Sequence, residues 1–160
     1  MIKSIKAVSI LFLFISIYAN GQQKAGVSIF FGPTYQIINN SDLGVNVGVE
    51  FFLDDFTAIA PSFSYYFSAK GITTYAFNAD VRYYLNRNRR FNYYAIGGFN
   101  YLIVKNTLVS PEFKTSSFGV NAGGGFLIEL NDKVGLLGQL KYDSSGASTI
   151  EPMIGVSYHF

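Results

Sequence analysis

The 160 residues suffice for one domain, but 18% aromatic and only 14% charged residues are unlike a soluble one, where roughly 25% are charged. A net charge of +2 and the lack of any basic stripe argue against a nucleic-acid partner. With no cysteine and one histidine, disulfide scaffolds, thiolate metal sites and a lipidated N-terminal cysteine are excluded, and no cofactor is expected.

Lys3 and Lys6 precede an apolar run from Ala7 to Ile17, broken only by Ser9 and Ser16, and the small residues of Ala19-Asn20-Gly21 follow. That order is a secretory signal with cleavage near Gly21. The run falls short of the roughly 20 apolar residues that cross a hydrocarbon core. Residues 1–21 are therefore assigned to a signal peptide and 22–160 to one folded domain.

From Lys24 on, apolar residues recur with period two, the signature of strands. Eight segments carry the pattern, near 25–37, 43–53, 56–67, 74–85, 91–103, 118–130, 134–143 and 150–160. Tight polar turns are expected at Asp54-Asp55, Asn86 to Arg90 and Asn131 to Lys133. The alternate links are longer, the longest running from about Val104 to Ser117. Tight and longer links in alternation fit an all-β, eight-stranded antiparallel up-and-down barrel with unlike ends.

The two faces of these strands differ sharply. Leu43, Val45, Val47, Val49 and Phe51 alternate with Gly44, Asn46, Gly48, Glu50 and Phe52. Tyr75, Phe77, Ala79, Val81, Tyr83 and Leu85 oppose Asn78, Asp80, Arg82 and Tyr84. No apolar-face position within the eight segments is charged. The other face holds Glu50, Asp80, Arg82, Glu129, Lys141, Asp143 and Glu151, together with most of the glycines.

A lipocalin-like soluble barrel would turn its apolar face inward, whereas a membrane barrel turns it toward lipid, where a charge costs about 2–4 kcal/mol at the midplane. Eight strands enclose a space only just wide enough for side chains, too narrow for so many Phe, Tyr, Ile and Val. A transmembrane barrel follows. Pro33, Pro61 and Pro152 interrupt strand segments and are expected at bulges or near the extracellular rim.

With its strand number, sidedness and C-terminal Val156-Ser157-Tyr158-His159-Phe160, the mature chain resembles small outer-membrane barrels of the OmpA/OmpX type, in the broad outer membrane protein β-barrel domain family. The resemblance implies residence in the bacterial outer membrane, periplasmic termini, and Tyr158 and Phe160 as an insertion signal for the barrel-assembly machinery. It also implies periplasmic chaperones during biogenesis, outer-membrane lipid and lipopolysaccharide as surroundings, and a monomer. With the sequence ending at Phe160, no peptidoglycan-binding domain is expected to follow.

Glu50, Asp80, Arg82, Glu129, Lys141 and Glu151 form the candidate lumen network. Strand directions bring Glu50, Arg82 and Glu129 near one end, so Arg82 is expected to pair with Glu50, Glu129 or both. Lys141 is expected beside Glu151 or Asp143. His159 faces the lumen two residues after Ser157, but no His-x-Ser deacylase element is present. Gly123-Gly124-Gly125 lacks the Lys-Ser/Thr that a phosphate loop needs. Arg87, Arg89 and Arg90 read as a solvated turn, and Asn39-Asn40-Ser41 as an unused sequon. No catalytic or metal residues are assigned. The function expected is a non-enzymatic barrel with a largely plugged polar lumen, acting in envelope structure or surface interaction. A narrow channel for ions or small solutes is the alternative, ahead of a lipid-modifying enzyme or a lipocalin-like carrier.

Overall fold

A computed structural model describes residues 26–37, 42–67, 72–87, 90–106, 113–146 and 148–160. The signal segment, the sequon and residues 88–89 of the basic turn lie outside these residues. Eight strands follow one another: β1 (Val27–Gln36), β2 (Asp42–Phe52), β3 (Thr57–Tyr66), β4 (Ile72–Arg87), β5 (Phe91–Asn106), β6 (Phe113–Glu129), β7 (Val134–Asp143) and β8 (Thr149–His159). Each pairs antiparallel with the next, and β8 returns to β1 to close the barrel.

The register fixes its shape. From Val27 the ladder leads to Phe51, Ile59, Val81, Gly97, Ala122, Tyr142 and Ile150, and re-enters β1's line at Ile37. A stagger of ten residues over eight strands (Val27 to Ile37) tilts them by about 40°. Two tight turns are locked by their own side chains: Asp54 Oδ1 accepts from the amides of Phe56 and Thr57, and Asn131 Oδ1 from those of Lys133 and Val134.

Burial alternates along the strands as the sequence pattern requires. Leu43, Val45, Val47, Phe77, Val81, Tyr83 and Ile154 are exposed on the outer surface, while Glu50, Asp80, Arg82, Lys141 and Glu151 are buried within the barrel. Apolar outside and ionisable inside is the reverse of a water-soluble barrel. The outer rows also carry rings in contact, such as Phe99 on Phe118, stacked at 5.7 Å.

Two expectations need correction. Ladder pairing extends to Asn106↔Phe113, so β6 begins at Phe113 and the link after β5 is shorter than the expected 104–117. Lys114-Thr115-Ser116-Ser117 hides the strand because a strand that has left hydrocarbon needs no apolar outer face. The prolines do not sit at bulges: the one register shift among the described residues falls at Tyr84/Asn86. Pro33 and Pro61 instead sit where the β1–β8 and β2–β3 ladders skip pairs without changing register. All three prolines share the outward parity of their strands, and only Pro33 and Pro152 lie toward the end opposite the termini.

Val81→Arg, at mid-strand on the outer face, is expected to destabilise folding into vesicles by about 2–4 kcal/mol, and Ser116→Arg near the rim by about 0–1. Urea titration of the reconstituted barrel measures both.

Candidate functional site: the lumen

The interior has two layers. Toward the end that carries both termini, Phe30, Phe52, Tyr84, Tyr94, Ile96, Leu127 and Leu137 form a buried apolar cluster. These rings fit because glycines face them: a Cβ on Gly48 would collide with the Phe30 ring, and one on Gly125 would lie 2.5 Å from the Tyr94 hydroxyl.

Arg82 projects from β4 into this layer and is 1% exposed. Its Nη1 lies 3.4 Å from Glu50 Oε2, and its Nη2 donates to Gln139 Oε1 at 3.0 Å. The Phe30 and Tyr94 ring centroids lie 4.1 and 5.0 Å from its guanidinium carbon, within the range of a cation–π contact. Glu50 also accepts from the Tyr84 hydroxyl at 2.8 Å and from Ser28 Oγ at 3.3 Å. An ion pair in so dry a place depends on the groups around it: β1, β5 and β7 supply Ser28, Phe30, Tyr94 and Gln139, while Arg82 Nε and Nη1 make no hydrogen bond.

The second layer is amide-rich. Lys141 Nζ reaches Asp80 Oδ2 at 3.1 Å. Asn121 Nδ2 donates to Asp80 Oδ1 at 2.8 Å and to Asn78 Oδ1 at 2.9 Å, where Asn100 Nδ2 also donates at 2.9 Å. Ser145 Oγ closes the chain on Asn100.

Of the residues expected in the lumen, Glu50 and Arg82 meet. Glu129 does not join them. It ends β6 at the rim, half-buried, and accepts from Asn92 at 3.0 Å. Lys141 stands beside Glu151 in the register, as expected, but its ammonium crosses the barrel to pair with Asp80. Glu151 accepts from Gln36 Nε2 at 3.2 Å, and Asp143 from the Ser145 amide. In a barrel this narrow the far wall competes with the adjacent strand. Asn78, Phe52 and Tyr84 lie inward as the face pattern requires, whereas Gln139, Asn100, Asn121, Phe30 and Tyr94 were not anticipated, although they share the inward parity of the charged residues.

At the terminal end, Phe160 is 78% exposed and its ring makes an edge contact with Tyr158 at 5.2 Å. Its amide donates to Val27 O. His159 stands opposite Ser28 in the β1–β8 register, but the Ser28 hydroxyl is directed to Glu50.

A family model described as the outer membrane protein β-barrel domain matches residues 8–160. The chain belongs to this family. Family and fold together make it an integral transmembrane protein of the bacterial outer membrane. Solved barrels of similar fold include the N-terminal β-barrel domain of Pseudomonas aeruginosa OprF, with TM-score 0.72 and 16% identity over 87% of this chain and 100% of that one. Neisserial surface protein A gives 0.69 and 13%, covering 84% and 96%. The attachment invasion locus protein Ail of Yersinia pestis gives 0.63 and 13%, covering 86% and 100%. No curated protein sequence matches the chain.

Removing Glu50 alone would strand the buried Arg82 charge, so Glu50→Ala is expected to cost about 3–5 kcal/mol. Combining Glu50→Met with Arg82→Met is expected to cost less than either single change. A double-mutant cycle by urea titration in vesicles tests this, and additive losses would show that the two side chains are not coupled.

Proposed function

We propose that this family member is a non-enzymatic outer-membrane barrel with a largely filled lumen, contributing to envelope structure or surface interaction. The observation that carries the reading is Arg82, held between the Phe30 and Tyr94 rings and ion-paired to Glu50. Side chains from β1, β2, β4, β5 and β7 thereby converge on one cross-section. Surface interaction draws support from two barrels of similar fold, one named a surface protein and the other an attachment invasion locus protein. Periplasmic termini follow from the family resemblance, with the β3–β4 and β5–β6 ends facing outward from the cell. The exposed Phe160 ring beside Tyr158 suits capture by the assembly machinery before insertion, with periplasmic chaperones upstream.

A narrow cation path is the second reading. Its support is the lumen's charge: Glu50, Asp80, Asp143 and Glu151 are buried against Arg82 and Lys141, four carboxylates to two cations. Planar-bilayer recording on the purified barrel separates the two. A filled lumen gives no discrete steps in the wild type, and Arg82→Ala with Phe30→Ala opens cation-preferring steps. Reproducible conductance in the wild type would favour the channel.

A further inference from the structure

Among the described side chains, two charges break the apolar outer face of the strands, and they stand together. Among the described strand side chains, Lys105 and Lys114 are the ones that are charged and share the outward parity of the lipid-facing rows. They are direct cross-strand partners, Lys105↔Lys114, at the end of the β5–β6 ladder away from the termini. Like charges placed opposite each other on a sheet repel. Both are exposed, and no carboxylate among the described residues faces outward beside them. Among the described residues nothing on the outer face offsets this double positive charge.

The position of the pair defines what balances it. Four residues below on the same face are Tyr101 and Phe118, themselves register partners and both exposed. At the strand rise and tilt, the lysines stand about 10 Å above that aromatic row. Amphipathic rings mark the level of the membrane interface, so the ammonium groups lie in the headgroup layer, on the side that meets lipid. Lys105 also leans down onto β4, its Nζ 5.4 Å from the centroid of the Tyr75 ring, which holds its charge against the girdle. Long basic side chains flanking an apolar band settle at this depth.

We propose that Lys105 and Lys114, with Tyr75 beneath, form a site for a phosphate-bearing headgroup of an outer-leaflet glycolipid. The outward parity of both lysines and the continuity of the pair with the exposed apolar rows favour a lipid over a soluble anion. One anion placed between the two ammonium groups relieves their repulsion and pins the projecting β5–β6 hairpin to the membrane surface. The site requires the orientation proposed above only for the choice of leaflet.

The test uses the full folded barrel in nanodiscs of phosphatidylcholine containing diphosphoryl lipid A, with retained lipid counted by native mass spectrometry. Wild-type protein is expected to retain lipid A over phosphatidylcholine, and Lys105→Gln with Lys114→Gln to lose about 25-fold of that preference, near five-fold per lysine. Lys105→Arg with Lys114→Arg is expected to keep it, which shows that the site reads charge. Heat-modifiable migration verifies that each variant is folded. If the Gln pair does not fold, added salt in the wild type replaces it and is expected to abolish the preference. Equal retention in wild type and Gln variant, or a preference insensitive to salt, overturns the proposal. So does displacement of lipid A by inorganic pyrophosphate or a soluble sulfated polysaccharide, which would assign the pair to a ligand from solution. Nanodiscs expose lipid A to both rims, so this result does not depend on orientation. Labelling of Lys114→Cys on whole cells by a membrane-impermeant maleimide reads orientation separately.

Discussion

Backbone amides and carbonyls have no water to turn to inside a hydrocarbon layer, so every one of them must be paired within the protein. Antiparallel strands meet that demand only if the last pairs with the first. In this chain β8 does so with β1, and much else follows from the closure. Closing eight strands with a ten-residue stagger sets the tilt and leaves a lumen a few side chains across. Alternation then sorts each strand's residues into those that meet lipid and those that must fill or solvate the interior.

The interior answers in two chemistries. Near the termini, rings set against glycines fill the space, and Arg82 is shared among a carboxylate, an amide and two aromatic faces. Farther in, asparagines from neighbouring strands line up with Asp80 and Lys141. The proline positions reflect the same constraint. A residue without an N–H weakens a ladder wherever it falls, and the register on either side of Pro33 and Pro61 is unchanged because neighbouring pairs hold it.

Much of this architecture was legible in the sequence because the period-two pattern is dictated by the lipid itself. Strand number, sidedness and the Arg82–Glu50 proximity all come from counting residues along strands of known direction. What counting misses is the chord across the barrel. Lys141 has Glu151 beside it in register, yet it bonds to Asp80 on a distant strand, and only the radius reveals that reach. The pattern also fails where strands leave the membrane, as at Lys114 to Ser117. The inward Phe30 and Tyr94 resisted reading for another reason: an aromatic on the polar face fits only because a glycine lies opposite it, a pairing set by register and not by either residue alone.

The direction in which each face points separates a membrane barrel from a soluble one, and a chain without cysteine allows a direct measurement. Single cysteines at Val47, Val81, Val156, Asp80 and Glu129 carry a small fluorophore in the folded barrel, in vesicles with brominated acyl chains. Strong quenching at 47, 81 and 156, with little at 80 and 129, is the expected result. Quenching at 80 and 129, with water-accessible probes at the three valine positions, would contradict it.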